Sequence, residues 1–235
     1  MITTSAPPAH LPSRIVRRPR LIRALDAGGA RMVVVTGPAG SGKSVVVRDW
    51  LAGVEAPSAW LSLGVRHADP EVFLDAVLRA LESLVPGLHD ATWSDDPDDH
   101  AANLAIVRAT EHLASASSIT LVLDDLHVID RSPTASLLAR LVEAAPANLR
   151  LVICSRSDPP LQLHRHRLAG ELVELREADL RFDRTEAEQF FAQFPRVDLA
   201  GRQIERLTER TEGWAAGLQF AALSLAGRDD PDAFV

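Results

Sequence analysis

Apolar positions along this 235-residue chain fall into two regimes. Up to about residue 180, short continuous apolar runs alternate with stretches whose apolar residues recur every three or four positions. The runs are Arg31-Met-Val-Val-Val-Thr36, Ala59-Trp-Leu-Ser-Leu63, Ile119-Thr-Leu-Val-Leu123, Arg150-Leu-Val-Ile-Cys154 and Glu171-Leu-Val-Glu-Leu175. Each is rich in β-branched or aliphatic residues and bounded by turn formers, the pattern of a strand buried on both faces. The intervening periods predict helices over Ser44–Leu51, from Asp69-Pro70 onward (Phe73, Ala76/Val77, Ala80/Leu81, Leu84), over roughly 100–116, and near 134–144. Aspartate as N-cap with proline at N1 marks the start of the second of these. Strands alternating with helices predict an α/β fold: a parallel five-stranded sheet with helices on both faces.

Beyond residue 180 only helical periods remain. Thr185-Glu-Ala-Glu188 reads as a capping box, and the last helix carries Trp214, Leu218, Ala221/Ala222 and Leu225 on one stripe. The expected organisation is an N-terminal segment 1–30, an α/β core 31–180, and a small helical lid 181–235. Residues 86–99, with the acidic run Asp95–Asp99, read as a solvated loop. Asp230-Pro231 is a helix-start signal with four residues left, which predicts a frayed tail or a chain that stops inside a longer protein.

The chemistry concentrates at strand ends. Gly37-Pro38-Ala39-Gly40-Ser41-Gly42-Lys43-Ser44 matches G-x-x-x-x-G-K-[ST], and it follows a strand and opens a helix, as that motif requires. Glycines let backbone amides turn inward into an anion nest at a helix N-terminus. Lys43 is then placed to reach β- and γ-phosphates and Ser44 to ligate Mg²⁺. Ile119 to Asp125 resembles a Walker B strand, with Asp124 expected to hold the metal and Asp125 to act as general base on water. Arg156, directly after the fourth strand, stands where an arginine would read a γ-phosphate. Cys154 reads as a small buried hydrophobe, despite His164 and His166 nearby, and His127 as a structural polar contact. Trp214 reads as a core anchor, although its flanking glycines hint at close approach to something.

Composition sharpens this. Of 25 basic residues against 32 acidic ones, 24 are arginine, so Lys43 is the only lysine. An Asn-Lys-x-Asp guanine loop and a protein-kinase strand lysine both need a lysine already committed to the P-loop, which favours ATP. The single cysteine excludes an internal disulfide framework. No apolar run reaches the ~18 residues of a membrane span, and Met1–His10 lacks a signal peptide's features, so a cytoplasmic protein is expected. Net charge is −7, unevenly spread: residues 1–31 carry six arginines against Asp26, while residues 66–130 carry thirteen acids against three arginines.

Taken together, Val16-Arg-Arg-Pro-Arg-Leu21, GPAGSGKS, LVLDDLHVID (121–130), CSRSDPPL (154–161) and TEGWAAGLQ (211–219) resemble the nucleotide-binding (NB-ARC/AAA-like) module of STAND-class P-loop ATPases. The likeness is to maltose-activator-like, LuxR-type transcriptional regulators, and it spans about residues 10–228. The resemblance implies an ATP/ADP switch with slow Mg²⁺-dependent hydrolysis and self-association in the ATP state. It also implies DNA contact only through a C-terminal domain absent from this chain. By the same analogy, Ile15 and Val16 lie against adenine and Arg156 reads the γ-phosphate. Gly213-Trp214-Ala215 departs from the Gly-x-Pro that many relatives carry in the lid, which leaves the lid's contact to adenine open. Two other readings stand beside it: a P-loop ATPase or kinase acting on a separate substrate, and a DNA-binding domain using the basic 14–31 stretch.

Overall fold

The computed structural model describes residues 15–27, 29–92, 101–195 and 197–226. The Asp95–Asp99 run, the Asp230-Pro231 signal and Met1–His10 lie outside them. In chain order the elements are α1 (Pro19–Asp26), β1 (Met32–Thr36), α2 (Lys43–Leu51), β2 (Ser58–Ser62), α3 (Pro70–Glu82), α4 (Leu88–Thr92), α5 (Ala101–Ala114) and β3 (Ile119–Asp124). They continue with α6 (Thr134–Ala144), β4 (Leu149–Ser155), α7 (Leu163–Leu168), β5 (Leu172–Leu175), α8 (Glu177–Leu180), α9 (Arg184–Phe191), α10 (Gly201–Arg210) and α11 (Ala215–Leu225). All five expected strands are present within two residues of the expected bounds.

The strands form one parallel sheet in the order β2-β3-β4-β1-β5. β1 is interior, between β4 and β5. The chain leaves it for β2 on one side, while β4 connects across it to β5 on the other, which makes the C-terminal end of β1 a switch point where ligands bind. Pleating splits each strand between two cores. Met32, Val34, Leu121, Leu123, Leu151 and Ile153 face α3, α5 and α6, while Val33, Val35, Val122, Val152 and Cys154 face α1 and α2. Cys154 is fully buried, the small hydrophobe its strand position predicts. Burial pushes its thiol well above the ordinary range, so it stays protonated and inert.

Several features differ from the sequence expectation; one is α4, which stands with Leu88 fully buried where residues 86–99 read as a solvated loop. α1 has no counterpart in that expectation. Its signal is Pro19 at the first helical position and the i,i+4 pair Leu21/Leu25, both buried in the α2-side core. The start of α9 also lies earlier than the Thr185 capping box. Asp183 is the N-cap: its Oδ1 accepts from Glu186 N–H at 2.8 Å, and Glu186 Oε2 accepts from Asp183 N–H at 3.2 Å. The same reciprocal chemistry is satisfied two residues upstream.

That shift has a structural consequence, because Glu186 is also the acceptor that joins lid to core. It is 5% exposed and takes Arg18 Nε at 3.0 Å and Arg20 Nε at 2.9 Å. Arg18 and Arg20 further donate to the Arg181 carbonyl. Val16, two residues before Arg18, packs into the lid core with Phe190, Phe191, Ile204, Leu207 and Leu218. The N-terminal segment therefore belongs to both bodies, and part of its positive charge is neutralised within the molecule.

Burial alone would raise the Glu186 carboxyl. Hydrogen bonds from Arg20 and Arg18 outweigh burial and hold it below the ordinary carboxylate value of 4.5. Its contribution is therefore complete above that value and is lost as pH falls through the depressed one. Glu186→Ala should cost about 3–5 kcal/mol at pH 7, since it leaves the buried Arg18 guanidinium without its counter-charge. By urea unfolding, the difference from wild type should shrink below pH 4; a difference constant with pH would refute the pairing.

Candidate functional site

The site forms at the C-terminal edge of the sheet, where β1, β3 and β4 end. β1 runs into the loop 37–42, and α2 begins at Lys43. Its N-cap, Gly42, sits at φ +89°, a left-handed conformation that favours glycine, and no side chain caps the helix. The first-turn N–H groups therefore lack the usual side-chain acceptor at a positive dipole end, which is the arrangement that takes an anion.

Lys43 is 7% exposed, and its ammonium folds back to donate to the Gly37 and Pro38 carbonyls at 2.8 and 2.9 Å. Burial lowers its pKa, and the nearby carboxylates of Asp124 and Asp125 oppose that shift. Ser44 Oγ donates to Asp124 Oδ2 at 2.8 Å, across the gap between α2 and β3. This places a hydroxyl and a carboxylate side by side, the hard oxygen ligands of a divalent cation. Among the described residues no group of three or more His, Cys, Asp or Glu could hold a metal. A cation here would thus need further oxygens from its ligand, the pattern of phosphate-bound Mg²⁺.

Asp124 is 2% exposed, and burial raises its pKa despite the bonds from Ser44 and the Asp125 amide. Asp125 stands at φ +60°, with its side chain half-exposed and its Oδ1 3.9 Å from His127 Nδ1. The left-handed region is uncommon for a side chain, though aspartate adopts it more readily than most, and here it turns the chain directly after the buried carboxylate. His127 does not make the structural contact expected of it. Its Nδ1 is buried without a hydrogen-bond partner among the described residues, and burial holds the ring below its ordinary pKa, so it is neutral. Arg156 is exposed just past β4, and the loop that carries it is tied back by Ser157 Oγ donating to Asp130 Oδ2 at 2.6 Å.

Beside the P-loop lies a cavity of about 350 Å³. Ile15 and Val16 line it with Val45 and Phe182, and the lid supplies Ala215, Ala216 and Gln219. The wall is apolar with a few polar groups, as in cofactor pockets. The lid thus reaches this pocket without a proline at position 215. Sequence reasoning missed Arg18, which also lines the cavity. It is 3% exposed, its Nη1 is buried without a hydrogen-bond partner, and burial lowers its pKa against the pull of Glu186. Its sequence signal is its place in Val16-Arg-Arg-Pro-Arg-Leu21, two residues past an apolar pair.

A β-strand ending in a P-loop, a carboxylate delivered by a second strand and a helical lid over an apolar pocket define a P-loop ATPase module. Residues 19–154 match the AAA ATPase domain, and the chain belongs to that family. More particularly, it resembles the MalT regulators in sequence and a STAND protein in fold. It is 31% identical over 223 residues to the serine/threonine-protein kinase PknK of Mycobacterium tuberculosis, covering 92% of this chain and 20% of that protein. It is 28% identical over 220 residues to the HTH-type transcriptional regulator MalT of Yersinia enterocolitica, covering 92% of this chain and 24% of that protein. The chain thus spans a quarter or less of these relatives. Among solved structures, a STAND protein with a tetratricopeptide repeat sensor from Pyrococcus horikoshii superposes with a TM-score of 0.61 at 16% identity, over 93% of this chain and 31% of that one. The Orc1 protein of Aeropyrum pernix, in complex with DNA, gives a TM-score of 0.57 at 17% identity over 95% of this chain and 64% of that one. At these identities both show a shared fold.

Because Asp124 is desolvated without full compensation, its charge costs stability when no cation is bound. Asp124→Asn keeps an acceptor for the Asp125 amide and should leave the ligand-free protein at least as stable. The same change should abolish any Mg²⁺ dependence of nucleotide binding. Thermal unfolding and calorimetry with and without Mg²⁺ test this; a melting temperature lowered by several degrees would show Asp124 to be structural.

Proposed function

We propose that this chain is an ATP/ADP-binding switch module with slow Mg²⁺-dependent hydrolysis, serving a signal-responsive regulator of the LuxR type. The observation that carries the reading is the uncapped N-terminus of α2 beside the Ser44–Asp124 pair, one turn from an apolar pocket built partly by the lid. In this reading the N–H groups of Gly40 and residues 42–44 cradle phosphate oxygens, while the Ser41 N–H closes the loop on the Pro38 carbonyl. Lys43 turns from the Gly37 and Pro38 carbonyls toward the β- and γ-phosphates, a small motion for a long side chain. Ser44 and Asp124 hold Mg²⁺, which when bound neutralises phosphate charge. Ile15 and Val16 pack on the adenine. Asp125 orients and deprotonates water, and Arg156 swings onto the γ-phosphate from a surface position.

The switch reading draws on the lid. Nucleotide here touches both core and lid, so its phosphate state can bias how the two bodies sit. The relatives support a module over an output: one segment of about 220 residues recurs in a protein named a kinase and in one named a transcriptional regulator. What recurs in both is the nucleotide machinery, which leaves catalytic or DNA-binding output, and self-association in the ATP state, to the longer protein. Among the described residues no helix is long and apolar enough to cross a membrane, and a cytoplasmic location is part of the same proposal.

Lys43→Ala should weaken MgATP binding about 30-fold or more by calorimetry, because a charged hydrogen-bond donor to phosphate is lost. Asp125→Asn should keep MgATP affinity within about threefold yet release no phosphate in a single-turnover assay. Wild-type phosphate release by Asp125→Asn would remove its role as base.

A further inference from the structure

The motif G-x-x-x-x-G-K-S needs glycine at positions 37 and 42 and leaves position 40 free, yet Gly40 is present and sits at φ +71°. A Cβ built there would lie 2.5 Å from the Ala216 Cβ and 3.4 Å from the Trp214 ring. Both neighbours belong to the lid. Gly40 is therefore required by the close approach of α11 as well as by its own backbone conformation.

Trp214 is the residue at that contact. It is 39% exposed, so it is no core anchor; the core positions of its stripe are Leu218, Ala221, Ala222 and Leu225. Its indole Nε1 donates to the Ala39 carbonyl at 3.0 Å, and the Ala216 amide donates to the Gly40 carbonyl, also at 3.0 Å. The glycines that flank it make this placement possible. Gly213 lies at φ +69° with its Cβ position 2.5 Å from the Phe182 carbonyl, and it accepts from the Phe182 amide at 2.8 Å. A side chain at Gly217 would meet Thr211 and the Trp214 ring at about 3 Å. The segment Gly213–Gly217 is thus built to lay one indole and one helix N-terminus on the outside of the P-loop.

We infer that Trp214 is a positioning residue for the phosphate cradle: with Ala216 it latches the lid onto the Ala39 and Gly40 carbonyls. In a trans peptide the carbonyl and the following N–H point in opposite directions. Holding the Ala39 carbonyl toward the lid turns the Gly40 N–H away from it, toward the concave side of the loop. Lid docking and cradle shape then form one equilibrium. Nucleotide that orders the cradle favours the docked lid, and the docked lid favours nucleotide by the same factor. Trp214 touches no phosphate and acts only through the loop's backbone. The inference rests on the P-loop reading of the proposed function and adds the element that couples it to the lid.

The test is MgADP calorimetry on five proteins beside wild type: Lys43→Ala, Trp214→Phe, Gly40→Ala, Ala216→Gly and the double variant of the last two. Trp214→Phe keeps a ring and loses the N–H donor, and should weaken MgADP about fivefold, the worth of one neutral hydrogen bond. Gly40→Ala should weaken it about tenfold or more, through both the left-handed backbone and the clash with Ala216. Ala216→Gly removes that clash partner, so the double variant should regain about fivefold, a coupling that backbone strain alone cannot produce. Wild-type affinity in Trp214→Phe, or no rescue of Gly40→Ala, overturns the latch while leaving the nucleotide site intact if Lys43→Ala has lost binding. Undiminished binding by Lys43→Ala would instead overturn the phosphate cradle, and the latch with it.

Discussion

A helix that begins with no cap is the constraint on which the molecule depends. Helices ordinarily satisfy their first N–H groups with a side chain from the N-cap residue, and α3 and α9 here do so with Asp69 and Asp183. α2 does not, in common with α1, α6, α7 and α11; what sets it apart is the left-handed glycine that stands in that place, at the end of a glycine loop. The open donors are useful only if the loop holding them keeps its shape, and much of the surrounding architecture serves that end. β1 lies between two parallel neighbours and is buried at every position. Lys43 bonds two carbonyls of its own loop, and the lid bonds two more. Four successive carbonyls, those of residues 37–40, are thereby held in place, and the Ser41 amide closes the loop on the Pro38 carbonyl at 3.3 Å.

The second consequence is charge placement. A buried acid and a buried ammonium lie within one site, with Asp124 raised and Lys43 lowered by desolvation. Neither state is the most stable for an isolated protein. The arrangement makes sense when a polyphosphate and a cation complete it, since their charges are opposite to the groups left short of partners. The Arg18–Glu186–Arg20 cluster differs, because with Asp183, 3.6 Å from Arg20, its charges are matched internally, and it ties core to lid.

Much of this was legible in the sequence. Strand runs and the P-loop are local patterns, so β1–β5, Gly37–Ser44 and Asp124 could be read residue by residue. What escaped depends on contacts far apart in the chain. Arg18 and Glu186 are 168 positions apart, and nothing local says that one arginine among twenty-four has a buried partner. The cap of α9 was displaced by two residues because Thr185 and Asp183 both begin a valid capping pattern, and the pairing of Glu186 with Arg18 accompanies the earlier choice. Trp214 misled for a related reason. A tryptophan in register with a helix's apolar stripe belongs to the core by period, yet it sits at the N-cap, where the helix ends and another surface begins. Its flanking glycines carried the better signal.

The central claim is that this fold holds an adenine nucleotide between P-loop and lid. It is tested most directly by denaturing gently purified protein and identifying what is released by chromatography. The account predicts ADP or ATP at near one equivalent per chain. Release of GDP, or of no nucleotide from protein that is folded, would contradict it.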